Sequence, residues 1–390
     1  MTTYFPQNNW EPFVYQRLNE LIDTYQKPQG TPLDQQAYVV FDFDNTSAIS
    51  DVEDNLMIYM LEHLLYKLSP QDFLLILTTG PFNFDLVLEE GRSNLTPRHL
   101  ALDIIENYQW LYEHYILKQT MSLDDVKATD YYRDFQAKLR YYYKAVNKHF
   151  TRQAGQAWLT YWFQGYSQTE FIELCRRMLQ HALDQPVERH AYTSSQERPG
   201  LAGQVESHFV SGLAFPRELR DLYQAFQTHQ IATYVVSASP IDLVRTAVLE
   251  FGFNLPFDQI IAMCYSINAE RQIIAQMEAD SYITKQAGKT EAIMNLLAPL
   301  HGNAQPLALF GDSMGDYDMM TTLKDVKLNV LFNCLLDDGT SSLVELAQGL
   351  YRHSDAQFVV QGRNENTAQL RPSPKSIPLG STNEQLLRSK

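Results

Sequence analysis

Cysteine is scarce in this chain, and so is positive charge. The 390 residues hold three cysteines, Cys175, Cys264 and Cys334, widely spaced and odd in number. That spacing excludes a cysteine metal motif and gives no sign of a disulfide framework, so they read as reduced core thiols. Lysine and arginine number 31 against 46 aspartates and glutamates, a formal net charge of −15. Such a balance argues against nucleic acid as a partner, because a phosphate backbone is bound by excess cationic charge. A small anionic ligand is not excluded, since it needs only local positive charge. No apolar run approaches the roughly eighteen residues of a membrane helix, so no membrane span is expected. The opening residues, MTTYFPQNNW, lack the basic and apolar regions of a signal peptide, and the expected location is the cytoplasm. Nothing in the sequence reads out an oligomeric state.

What is present is a globular pattern, 45% hydrophobic and 20% charged, enough for one large domain or two ordinary ones. Residues 11–26 carry Val14, Leu18, Leu21, Ile22 and Tyr25 at helical spacing, and Pro28, Gly30 and Pro32 end the pattern. Short apolar runs then stand at 38–43, 231–236, 307–310 and 328–332, with helical patterns between the later ones. This alternation predicts an α/β fold, a Rossmann-like parallel sheet with helices on both faces. Residues 258–285 read as a strand followed by a short hairpin or extension. From about 49 to 212 the character changes to helical stretches with few β-branched runs, blurred by a polar, loop-like segment near 188–203. The expected organisation is therefore an N-terminal helix and first strand over 1–48 and a mostly helical inserted cap over 49–212. The rest of the core follows over 213–360, then a polar, proline-containing flexible tail over 361–390.

The chemistry-bearing residues stand at the ends of the apolar runs. Asp42 and Asp44 close VVFDFDNTS, Ser237-Ala238-Ser239-Pro240 follows IATYVV, and Gly311-Asp312-Ser313-Met314-Gly315-Asp316 follows LALF. Between the last two, Gly288-Lys289-Thr290 opens a helical run. Ligands of open parallel sheets bind beyond the carboxyl ends of the strands. Each piece alone reads as a turn, a cap or a solvated lysine. Together, paired carboxylates, hydroxyls and a lysine suit a divalent cation and a phosphoryl group: Mg²⁺ takes hard oxygen ligands, which Asp42, Asp312 and Asp316 offer. Lys289 and the Ser237 hydroxyl would hold phosphate oxygens, with backbone N–H donors at the following helix start. Gly288-Lys289-Thr290 is not a nucleotide-binding P-loop, because that motif's first glycine would fall at Ile283.

In this order the motifs resemble the haloacid dehalogenase-like hydrolase superfamily: Asp42-Phe-Asp44-Asn-Thr46, Ser237, Lys289, then Gly311-Asp312-Ser313-Met314-Gly315-Asp316. The resemblance covers residues 37–50 and 215–335, and the insertion sits where that family places its first-type cap. It implies an Mg²⁺-dependent phosphoric monoester hydrolase. Asp42 would be the nucleophile that becomes an aspartyl-phosphate, and Asp44 the acid that protonates the leaving alcohol and then activates water. Ser237, Ala238 and Lys289 would bind phosphate. Asp42, the backbone carbonyl of Asp44, Asp312 and Asp316 would hold the metal. Asp44 itself favours phosphate chemistry over dehalogenation, since an alkoxide leaving group needs a proton and a halide does not. Within the superfamily the motifs look most like the phosphoserine-phosphatase branch, and resemble phosphorylcholine phosphatases, although the long cap departs from the small phosphoserine-phosphatase one. A phosphotransferase using the same phospho-aspartate and a non-catalytic binding protein are the competing functions.

Substrate choice is expected from the cap. Asp51, Glu53 and Asp54 follow the nucleophile, and acids in that position cap a helix or line the entrance. Trp158, Tyr161 and Trp162 form an aromatic stripe that reads as core packing or as part of a cation-binding wall. If acids and rings face the site, a cationic phosphomonoester such as phosphocholine or phosphoethanolamine is the expected substrate.

Overall fold

The computed structural model describes residues 2–80, 82–150, 155, 158, 161–336, 340, 343–344 and 357–386. The strands are β1 (Tyr38–Phe41), β2 (Arg189–Thr193), β3 (Glu206–Val210), β4 (Ala232–Pro240), β5 (Ile260–Met263), β6 (Tyr265–Ile267) and β7 (Ile273–Met277). They continue with β8 (Ala308–Gly311), β9 (Leu328–Asn333), β10 (Phe358–Asn364) and β11 (Gln369–Arg371). Seven form one sheet in the order β11-β10-β9-β8-β1-β4-β5. Every pair is parallel except β10 with β11. β1 lies between β4 and β8, with Phe41 opposite Val235 on one side and Phe310 on the other. All four β1 residues are buried. Tyr38 and Val40 enter the core on one face, Val39 and Phe41 the core on the other, the two-sided burial that a parallel sheet demands.

The first helix, Pro12–Tyr25, starts where the Glu11 carboxylate accepts the free N–H groups of Phe13 and Val14, and it buries Val14, Leu18, Leu21 and Ile22. The cap begins and ends at one place: Ile49 and Ala214 exchange backbone hydrogen bonds of 2.8 and 3.1 Å. Between them lie helices Val52–His63, Pro70–Leu77, Pro97–Leu111, Leu123–Lys127, Asp130–His149 and Gln168–Asp184. Ser69, Thr96, Ser122, Thr129 and Ser167 each cap one of these by accepting an N–H near its start. The cap also contains the antiparallel hairpin β2–β3, whose first strand lies in the segment expected to be loop. The core extension over 258–285 is β5 followed by the antiparallel hairpin β6–β7. Among the described residues no helix is long and apolar enough to cross a membrane.

The flexible tail expected over 361–390 is not found in its described part. β10 pairs in parallel with β9 as far as Gly362, and β11 turns back on its last three residues, so these residues extend the sheet. Buried polar side chains explain the misreading. Gln361 looks like a solvated residue in the sequence, but its Oε1 accepts the N–H of Glu11 and its Nε2 donates to Arg371 O.

Candidate active site

β1 stops at Phe41 and the chain turns, so Asp42 and Asp44 do not share a strand face. Asp42 stays beside the sheet through its N–H, which donates to Phe310 O at 2.9 Å. Phe43 is buried against the rings of Phe215 and Phe253. Asn45 takes the left-handed conformation (φ 56°), one that Asn tolerates better than most residues. Ser47 Oγ donates back to Asp42 O at 2.7 Å and pairs with Tyr223 OH at 2.7 Å. The turn thereby aims the two carboxylates into one cavity from different directions.

That cavity has a volume of about 840 Å3 and lies at the carboxyl ends of β1, β4 and β8 under the cap. Asp42, Asp44, Ser239, Lys289 and Asp312 line its core side. Lys289 Nζ sits 2.8 Å from Asp42 Oδ1 and 2.6 Å from Asp316 Oδ1. The other Asp316 oxygen accepts the N–H groups of Asp312 (3.0 Å) and Ser313 (3.3 Å). Carboxylate oxygens of Asp42, Asp312 and Asp316 lie within 4.8 Å of one another, all three residues buried. Burial and then Asp316 push the Asp42 carboxyl up to about 7, with Lys289 opposing. Burial, Asp316 and Asp42 push Asp312 well up. Three buried carboxylates against one ammonium leave uncompensated negative charge, and the donor set is all oxygen. Those residues fit a hard divalent cation such as Mg²⁺.

Asp44 is turned away from this trio. Its Oδ1 accepts Val52 N–H at 2.6 Å and its Oδ2 accepts Ser239 Oγ at 2.6 Å. Burial, then Asp51, raise its carboxyl well above the usual range, with Ser239 opposing. Its side chain is therefore held outside the group of Asp42, Asp312 and Asp316, in surroundings that favour its protonated form. Ser237 is fully buried, with its hydroxyl 3.5 Å from Asp44 Oδ2 and accepting Ser239 N–H. Ala238 and Ser239, not Ser237, line the cavity. Ser239 was missed as a site residue although it lies inside the same quoted motif.

On the cap side Asp51, Glu53 and Asp54 all line the cavity, and both sequence readings apply to Asp51. It caps helix Val52–His63 by accepting Asp54 N–H at 2.8 Å. Glu53 accepts Tyr143 OH at 2.9 Å, and burial followed by Asp51 pushes its carboxyl up to about 8. Burial also pushes Asp54 up, but Arg140 and Lys144 more than reverse that and hold it well below the carboxylate range. Arg140 grips it with two bonds of 2.8 and 2.6 Å. Trp158 and Trp162 do not reach the cavity. They are 1% and 3% exposed and meet edge to face inside the cap core, where Trp158 Nε1 donates to Ile76 O. The two tryptophans thus do not form the expected aromatic wall; among the described residues Tyr143 and Phe209 line the cavity, and the Tyr143 ring already carries Arg140 and Lys144 over it. Arg363, from the segment expected to be tail, lines the cavity as well.

No protein-family model and no curated protein matches the chain. Among solved structures it is similar to a conserved, functionally unknown protein from Anaerococcus prevotii DSM 20548. Identity there is 26% with a TM-score of 0.87, covering 96% of this chain and 99% of that one. It is similar at 9% identity (TM-score 0.37, covering 79% and 92%) to a phosphoserine phosphohydrolase-like protein from Francisella tularensis subsp. tularensis SCHU S4. A HAD family hydrolase from Salmonella enterica subsp. enterica serovar Typhi is similar at 12% identity (TM-score 0.37, covering 82% and 72%). The first shares nearly the whole fold; the loose likeness of the other two leaves the chemistry to the residues themselves.

Proposed function

We propose that this chain, a haloacid dehalogenase-like protein by its sheet and its four motifs, is a phosphomonoesterase working through an aspartyl-phosphate. Its substrate class is a small organic phosphomonoester. The observation that carries the reading is the second buried carboxylate: Asp44, tied to Ser239 and Val52, faces the same cavity as the lysine-held Asp42. A dehalogenase has no use for such an acid.

Asp42 Oδ attacks phosphorus and the ester P–O bond breaks. The departing alkoxide takes the proton from Asp44, which raises the leaving-group quality of a poor alcohol. Water then attacks the phosphorus of the acyl phosphate and gives its proton to Asp44. Phosphate leaves, and Asp42 is regenerated. Lys289 neutralises charge on the phosphoryl oxygens and holds Asp42 in line, and the backbone at Ala238 and Ser239 offers further donors. Mg²⁺ held by Asp42, Asp312, Asp316 and the Asp44 carbonyl would supply electrostatic stabilisation of the transferring phosphoryl group.

The cavity exceeds what a phosphate needs, so the leaving group is an organic moiety of some size. The acids and rings expected to form a cation-binding wall lend no support to an ammonium-bearing substrate. Asp54 is satisfied by Arg140 and Lys144, and the tryptophans lie in the cap core. The motifs VVFDFDNTSAISDVEDNL and VVSASPIDLV support the phosphoserine-phosphatase-like branch. The test is turnover of an activated aryl phosphate and a panel of alkyl phosphates with Mg²⁺. Release of inorganic phosphate is expected. Absence of turnover across the panel would reject the reading, and transfer to an added alcohol in preference to water would make the protein a phosphotransferase.

A further inference from the structure

Arg363 is 2% exposed in β10, yet its guanidinium ends at the active-site turn. Its Nη1 donates to the main-chain carbonyl of Asn45 at 2.6 Å, and its Nη2 reaches Asn45 Oδ1 at 3.4 Å. On its other edge Nε and Nη2 donate to Glu365 Oε1 and Oε2, both at 2.8 Å. Asn45 directly follows Asp44 and has positive φ, so its orientation sets where the Asp44 side chain begins. Only arginine presents a rigid planar fork that is permanently charged and can hold a carboxylate and a carbonyl at once.

The support beneath the fork is fixed in turn. Arg363 N–H donates to Ser376 Oγ at 2.8 Å, its carbonyl accepts Ile377 N–H at 2.9 Å, and Ser376 Oγ donates to Asn333 O at 2.5 Å. Gly362 lets the segment close: a Cβ there would lie 2.3 Å from the carbonyl oxygens of both Ser373 and Lys375. A buried ion pair contributes little net stability compared with apolar residues of the same volume. Stability alone therefore does not account for a buried arginine aimed at this turn.

We propose that Arg363, oriented by Glu365, is a positioning residue that fixes the turn carrying Asp44. The C-terminal segment that the sequence presents as a tail is then part of the catalytic unit. The proposal rests on the reading of Asp44 as the proton donor, and two readouts keep the two apart. The first compares the pre-steady-state rate of phosphoenzyme formation from an alkyl phosphate and from an activated aryl phosphate for wild type, Arg363→Met, Arg363→Lys and Glu365→Gln, with melting temperature measured alongside. A displaced acid harms the poor leaving group, so Arg363→Met should lose about 100-fold on the alkyl ester and under about 5-fold on the aryl ester. Lysine keeps the charge without the fork and should restore only part of the alkyl rate. Glu365→Gln, which leaves the arginine in place, should show a milder form of the same split. A merely structural role would lower both rates equally, and that result, or unchanged rates, would overturn the proposal. The second readout is hydrogen exchange. Arg363→Met should speed exchange of the amides of residues 44–47 at least about tenfold relative to those of β1. If wild type turned over no phosphomonoester, the phosphatase reading would fall while exchange still decided the clamp, and unchanged protection would remove it.

Discussion

Ser239 Oγ donates a 2.6 Å hydrogen bond to Asp44 Oδ2, joining the end of β4 to the turn after β1. The bond opposes the burial that raises the Asp44 carboxyl. Ser239→Ala removes it, and Asp44 should then hold its proton to higher pH. The alkaline limb of the rate on alkyl phosphates, where protonated Asp44 is lost, should shift upward. The rate itself should fall about 10- to 100-fold, as expected for a lost hydrogen bond to a charged group of roughly 1.5–3 kcal/mol. A pH–rate profile with an unmoved limb would remove Ser239 from the account.

Asp44→Asn should lower the alkyl rate by about 100- to 10,000-fold, the usual worth of general acid–base catalysis. Formation of the phosphoenzyme from an activated aryl phosphate should suffer far less. Pre-steady-state bursts with the two substrates check this, and equal losses would contradict the acid role.

Metal removal should have two consequences. Chelation should abolish turnover, Mg²⁺ should restore it, and Ca²⁺, with its larger and looser shell, should restore it poorly. Mg²⁺ should also raise the melting temperature of the metal-free protein in a concentration-dependent way, because it relieves repulsion among Asp42, Asp312 and Asp316. Asp312→Asn should remove most of that rise. Full activity in a verified metal-free preparation would overturn this part.

Glu53 makes a stability prediction with a definite sign. Its carboxyl is raised from 4.5 to about 8 in the folded protein by burial and Asp51. Between those two values the folded state holds a proton that the unfolded state has released. Stability from this group is complete below 4.5 and declines as pH rises toward 8. The slope is at most about 1.4 kcal/mol per pH unit. Glu53→Gln should flatten that decline in urea unfolding across the window. Parallel wild-type and variant curves would show that Glu53 does not carry it.

Much of this was legible in the sequence because local pattern and tertiary role coincide there. The apolar runs at 38–43, 231–236, 307–310 and 328–332 are buried on both faces, and a parallel strand of that kind leaves a continuous signature. Asp42, Asp44, Lys289, Asp312 and Asp316 stand at strand or helix ends, where sequence order already fixes that they meet. What was hidden depends on distant partners. Arg363 and Gln361 look solvated until the Asn45 carbonyl is seen to accept from the first and the Glu11 N–H to donate to the second. Trp158 and Trp162 fit helical spacing equally well facing the core or the cavity, and only the packed cap decides between the two. The alternation of β2, exposed at Arg189, Ala191 and Thr193 and partly or fully covered at His190 and Tyr192, is short and polar enough to pass for loop.

The covalent intermediate is the most direct test of the account. Asp44→Asn protein mixed with an activated aryl phosphate and Mg²⁺ should form the phosphoenzyme and hydrolyse it slowly, so acid quenching should trap it. Mass spectrometry of the quenched protein should find one phosphoryl group on the peptide carrying Asp42, and none when Asp42→Asn is added to the same background. Turnover with no phosphorylated peptide, or a phosphoryl group that persists after Asp42→Asn, would contradict the account.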